Sequence, residues 1–240
     1  MNRDSLIYNF TLAIMASNMF KPKLILLDLD GTLVDSVPDL AFCIDETMKQ
    51  CDLPERGEAA VRSWVGNGAK RLVERALVND MEGHSSSELL DRAMGIFMSI
   101  YSENVSIRSR LYPGVLEGLD HLASIPDLTI GCVTNKPDAF TVPLLKSLGL
   151  ADRFEIVLSG DSLPEKKPHP LPLLHAAEKF GVRPEDAVMV GDSKTDVKAA
   201  RAAGFGIVCV SYGYNHGEDI RDSNPDAVLN SLGELPKICK

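Results

Sequence analysis

The sequence predicts an α/β fold, a doubly wound parallel sheet with an inserted α-helical domain. Three observations predict it. Short apolar runs recur along the chain, helical patterns separate most of them, and one stretch of residues 37–106 shows helical periodicity alone. Strands alternating with helices require right-handed crossovers and a sheet covered on both faces.

The first run, Lys23–Leu27 (KLILL), is apolar throughout and short, as a strand buried on both faces must be. Four more follow: Leu128–Val133, Glu155–Leu158, Ala187–Val190 and Gly206–Val210. Helical patterns cover Gly114–Ser124, Ala139–Leu148, Leu171–Phe180 and Thr195–Ala203. Gly149, Gly181 and Gly204 stand after three of them, where a helix commonly ends in a left-handed residue. In the insert, Asp39–Gln50, Ala59–Val78 and Ser87–Glu103 read as amphipathic helices, far more than a crossover needs. The expected division is therefore a discontinuous core of residues 19–36 and 107–240, a helical cap of residues 37–106, and an N-terminal extension of residues 1–18. Leu6–Phe20 is too short and too polar to span a bilayer, and its Asn2-Arg3-Asp4 start is not basic enough for a secretory leader.

With 240 residues, 45% of them hydrophobic, the chain has material for a core and an insert. Its net charge of −9, with no long basic run, argues against nucleic acid and anionic membranes as partners. Five cysteines, odd in number and without a C-x-x-C pair, fit free thiols in a reducing cytoplasm. An acidic protein that takes an anionic ligand must gather positive charge at one spot.

In an open parallel sheet that spot lies beyond the carboxyl ends of the strands. The first run ends in Asp28-Leu29-Asp30-Gly31-Thr32. Two carboxylates so close are costly unless a cation or a proton separates them. Gly31 permits a tight turn, and Thr32 offers a hydroxyl. The second run ends in Thr134-Asn135-Lys136, a hydroxyl and an amide suited to phosphate oxygens or, equally, a turn before the next helix. The third precedes Lys166-Lys167-Pro168, whose ammonium groups either neutralise an anionic cluster or sit solvated in a loop. The fourth ends in Gly191-Asp192-Ser193-Lys194-Thr195-Asp196. Asp192 adds a third carboxylate. Asp196 either orients Ser193 or Lys194, or is a first-turn acid favoured by the helix dipole.

DLDGTLVDS, VTNK, KKPHP and GDSKTD, in this order at strand ends, resemble the four motifs of the haloacid dehalogenase superfamily. Trp64–Ala69 (WVGNGA), Tyr212–Gly217 (YGYNHG), VERALV and PLLKSLGL further resemble the bacterial phosphoglycolate phosphatases. The resemblance implies a Rossmann-like core with a helical cap. It implies hydrolysis of 2-phosphoglycolate to glycolate and phosphate through a phospho-aspartate, with Mg²⁺ as cofactor and a small phosphorylated metabolite as partner. Residue by residue it makes Asp28 the nucleophile, Asp30 the general acid/base and Lys167 the cation, and it puts Thr134 and Asn135 on the phosphate. Mg²⁺ would take oxygens from Asp28, the main-chain carbonyl of Asp30, and Asp192, with Ser193 and Asp196 behind them. Gly31 and Thr32 would contact the substrate at the turn. At the start of a cap helix, Asn67, Gly68 and Lys70 would face its carboxylate, or, equally, Gly66–Gly68 is a plain turn between helices. A phosphatase of broader small-ester preference, a β-phosphoglucomutase-like phosphomutase, and a binding protein on an inactive fold are the alternatives. The chain is expected to work as a monomer or homodimer. His169 and His175 lack a third ligand for zinc, Trp64 is expected in the cap core, and Arg71 and Arg75 are expected in solvent.

Overall fold

The computed structural model describes residues 20–240; the expectations for residues 1–18 and for the Leu6–Phe20 segment as a whole lie outside that span. Six parallel strands form the main sheet in the order β5-β4-β1-β6-β7-β8. They are β1 (Leu24–Leu27), β4 (Thr129–Val133), β5 (Ile156–Leu158), β6 (Ala187–Gly191), β7 (Gly206–Val210) and β8 (Ala227–Leu229). All five apolar runs are strands. The sixth, β8, escapes a reading of apolar runs because it has three residues and lies at the sheet edge.

The four residues of β1 are wholly buried, and alternate ones serve opposite faces. Ile25 and Leu27 pack with α5 (Val115–Ala123) and α6 (Asp138–Ser147), whereas Leu24 and Leu26 pack with α7 (Leu171–Phe180) and α8 (Lys194–Ala203). The chain leaves β1 for β4 and β5 on one side, then returns to β6, β7 and β8 on the other. The order reverses at β1, which is where such sheets open a crevice for ligands.

Residues 37–104 contain four helices: α1 (Val37–Gln50), α2 (Gly57–Trp64), α3 (Ala69–Val78) and α4 (Ser87–Asn104). The single helix expected over Ala59–Val78 is two. Val65 is extended, and Gly66 and Gly68 adopt φ of 121° and 90°, values that break a helix and favour glycine. Trp64 is buried in the apolar cluster that joins α1–α4 to the α5/α6 face of the sheet. Arg75 is not in solvent. It is 5% exposed and donates to the carbonyls of Trp64 and Met81 and to Asn67 Oδ1, tying down the α2–α3 break. Arg71 is likewise held, by Glu74 and the carbonyls of Met81 and Gly83. The chain enters and leaves this region through a two-residue antiparallel ladder, β2 (Val34–Asp35) with β3 (Arg110–Leu111).

Candidate active site

Register brings the polar residues together. Leu27 is level with Cys132 of β4 and Val190 of β6, so Asp28, Thr134 and Asp192 emerge within about one residue step of one another. Oxygens of Asp28, Asp192 and Asp196 lie within 4.8 Å of one another.

Each carboxylate is held by specific donors. Asp28 accepts from Leu29 N at 2.7 Å and from Lys167 Nζ at 2.9 Å. Lys167 Nζ also donates to Asp196 Oδ1 at 2.7 Å. Asp196 Oδ2 accepts from the Ser193 amide and hydroxyl, capping α8. Of the two neighbours considered for it, Asp196 contacts Ser193, and it contacts Lys167 as well; Lys194 turns away to Glu218. Asp192 Oδ1 accepts from Thr32 Oγ1 at 3.0 Å, and its Oδ2 from Tyr214 N at 2.5 Å. Gly31 lies close under Asp192, where an added Cβ would sit 2.3 Å from Oδ2.

Burial pushes Asp28 up to about 7 against the pull of Lys167, and burial with the charges of Asp196 and Asp28 pushes Asp192 well up. Burial opposes the charge on Lys167, but Asp196 and Asp28 outweigh it and hold the ammonium above the ordinary lysine value.

A cavity enclosing about 470 Å³, part of it open to solvent, lies above Asp28. Asp30, Thr134, Asn135, Lys136, Gly66, Gly68 and Tyr101 are on its wall, together with apolar Leu40, Val65, Leu72 and Phe140. Lys136 Nζ lies 3.2 Å from both oxygens of Asp30 and 2.5 Å from the hydroxyl of Tyr101 on α4. Burial works against its charge, but Asp30 and Tyr101 raise its pKa above the usual lysine value.

The remaining expected residues are distributed differently. Thr32 serves Asp192 and Gly31 packs against it; neither is on the cavity wall. The Asn135 side-chain amide donates to Lys167 O at 2.9 Å and to Gly66 O at 3.1 Å, joining core to insert. Its Oδ1 is buried without a partner, while its main-chain N–H, like that of Asp30, makes no hydrogen bond among the described residues. Asn67 points its side chain at Arg75, and Lys70 is exposed and off the cavity wall. Sequence reasoning passed over Lys136 and Tyr101. Lys136 had a signal, since it stands third in the run after β4; Tyr101, in the middle of an amphipathic helix, had none.

Four carboxylates (Asp28, Asp30, Asp192, Asp196) face two ammonium groups (Lys136, Lys167), which leaves two negative charges in a largely buried site. Close, mutually repelling acids with raised proton affinity are the kind of oxygen donors a divalent cation takes. The donor set fits a hard divalent metal.

A family model described as haloacid dehalogenase-like hydrolase matches residues 22–204. The chain belongs to this family, and it is a hydrolase by class. Among curated proteins, the phosphoglycolate phosphatase of Nitrosococcus oceani is 61% identical over 91% of this chain and 96% of its own length. That of Nitrosospira multiformis is 46% identical over 90% of this chain and 95% of its own. Among solved structures, a predicted phosphoglycolate phosphatase from Haemophilus somnus superposes with a TM-score of 0.86 at 39% identity, covering 92% of this chain and 99% of that one. Among the described residues no helix is long and apolar enough to cross a membrane.

Proposed function

We propose that this protein is a Mg²⁺-dependent phosphatase that hydrolyses 2-phosphoglycolate to glycolate and phosphate through a phosphoryl group carried on Asp28. The observation that carries the reading is the convergence of Lys167 and Asp192 on Asp28, which lines a cavity together with Asp30, Thr134 and Asn135; the main-chain N–H groups of Asp30 and Asn135 are unbonded among the described residues. The relatives' shared name supports the substrate.

Asp28 Oδ attacks phosphorus, and the ester P–O bond breaks. Asp30 protonates the departing glycolate oxygen, then takes a proton from water as that water attacks the aspartyl phosphate and releases inorganic phosphate. The N–H groups of Asp30 and Asn135 and the Thr134 hydroxyl, whose oxygen already accepts from Lys136 N, are the donors available to phosphate oxygens. Lys167 stays charged beside Asp28 and reduces the repulsion between a carboxylate and a phosphate dianion. A Mg²⁺ ion on Asp28, Asp192 and the Asp30 carbonyl would neutralise charge on the transferring group. Residues 37–106 act as the cap, excluding water while the phosphoryl group moves. Lys136 is the cation among the residues lining the cavity, and its Nζ is held by Asp30 and Tyr101. A cytoplasmic setting suits the free thiols.

The test is phosphate release from a panel of small phosphate esters, with Mg²⁺ or EDTA, on wild type and Asp28→Asn. The reading expects 2-phosphoglycolate to lead the panel, activity to vanish in EDTA, and Asp28→Asn to lose at least roughly 10³-fold, the scale of losing a covalent nucleophile. Comparable turnover of several sugar phosphates would remove the narrow substrate; full activity in the variant or in EDTA would remove the mechanism.

A further inference from the structure

One short loop after β7, Tyr212–His216, touches the Asp192 carboxylate, strand β2, Tyr112 just past β3, and helix α2. At the sheet end, Tyr214 N donates to Asp192 Oδ2 at 2.5 Å. Gly213 packs so closely that a Cβ there would lie 2.1 Å from Asp192 Cβ, so loop and carboxylate cannot shift independently.

Toward the ladder, the Tyr214 hydroxyl accepts from Ser36 N at 3.0 Å and Val37 N at 3.3 Å and donates to Asp35 Oδ1. Asp35 in turn receives both guanidinium nitrogens of Arg62 on α2, at 3.1 and 3.3 Å, and the Arg62 head lies 5.3 Å from the centre of the Tyr214 ring. The Tyr212 hydroxyl donates to Thr32 O at 2.8 Å, and its ring meets Tyr112, just past β3, at 4.4 Å between centroids. At the far end, His216 Nδ1 lies 2.7 Å from Ser63 O; a carbonyl only accepts, so this nitrogen carries the proton.

We propose that Tyr214 is a positioning residue that couples the cation site to the cap: its amide fixes Asp192 while its hydroxyl, with His216 beside it, fixes the chain crossing and helix α2. To the hold of Thr32 on Asp192 the arrangement adds one that depends on α2 and the crossing being docked. Cation binding therefore favours the docked cap, and a docked cap raises cation affinity by the same factor, as linkage requires. None of these hydrogen bonds is made by a residue that lines the cavity, although the His216 ring lies beside Gly66, which does. The proposal rests on the reading of Asp28 and Asp192 as cation ligands.

The experiment is calorimetric titration of Mg²⁺ into wild type, Tyr214→Phe, His216→Ala and Asp192→Asn, paired with hydrogen exchange of residues 57–68 with and without Mg²⁺. Wild type is expected to bind Mg²⁺ and to slow exchange in that segment when it does. Tyr214→Phe and His216→Ala, which leave every ligand in place, are expected to bind about five-fold or more weakly and to lose the slowing. A loss of packing alone would lower the melting temperature and leave the Mg²⁺-induced slowing intact. If Tyr214→Phe does not fold, His216→Ala decides. Wild-type binding with both variants within about two-fold and the slowing retained would overturn the coupling and leave the cation site standing. No binding by wild type, or wild-type affinity in Asp192→Asn, would remove the cation reading and the coupling with it.

Discussion

On the core wall of the cavity, Asp28, Asp30, Thr134 and Lys136 present side chains whose types name their chemistry. On the side of the helical region, three of the contacts with the core are made by main-chain carbonyls: Ser63 O to His216, Gly66 O to Asn135 and Asn67 O to Lys166. Side-chain contacts of Tyr101 with Lys136 and of Arg62 with Asp35 stand beside them. One wall depends on which residues are present, the other in good part on the path of the backbone. The difference teaches where substitutions act: a core change should alter chemistry or charge balance, and a cap change should alter docking.

The largest effect is expected from the two adjacent lysines. Lys167→Ala strands Asp28 and Asp196 without their shared ammonium and is expected to cost about 3–5 kcal/mol of stability, together with activity. Lys166→Ala, whose side chain meets one carbonyl at 3.1 Å, should change stability by less than about 0.5 kcal/mol. Thermal melts and phosphate release on the pair check this, and equal losses would break the contrast between the walls.

A second expectation concerns pH. The Asp28 pKa is raised from 3.8 to about 7. Over that window the metal-free fold binds more protons than the unfolded chain, so this group removes stability as pH rises through it. A cation displaces the proton. The gain in melting temperature on adding Mg²⁺ is therefore expected to grow from pH 5 to pH 8, with protons released to the buffer. A gain that is flat or falls across that range would contradict the assignment.

The smallest effect belongs to the cap wall. Gly68 has φ 90° and ψ 164°, a region for glycine alone, and a Cβ there would lie 2.8 Å from Lys166 Nζ. Gly68→Ala is expected to store about 1–3 kcal/mol of strain in the docked loop and to raise KM more than it lowers kcat. Steady-state kinetics would show it; a fall in kcat alone would mean that the loop takes part in the chemistry.

The same contrast explains what could be read from the chain. Buried strands announce themselves by apolar runs, and their polar ends follow directly, so the sheet and the Asp28–Asp192–Thr134 neighbourhood were legible. β8 was not, because a three-residue edge strand carries too little pattern. The Val65–Gly68 break was hidden inside a helical period that its two glycines interrupt. Asn67 and Lys70 looked like binding residues because of their place at a helix start, but a carbonyl-mediated dock gives side chains there no work on the cavity wall. The pairing of Lys136 with Tyr101 joins residues far apart in sequence, and only the fold reveals it.

The most direct measurement is chemical capture of the phosphoryl-enzyme. Borohydride added during turnover of 2-phosphoglycolate reduces an aspartyl phosphate to homoserine, and peptide mapping locates the change. Homoserine at position 28, dependent on substrate and Mg²⁺ and absent from Asp28→Asn, is the predicted result. Homoserine at position 30, 192 or 196, or none while phosphate is being released, would contradict it.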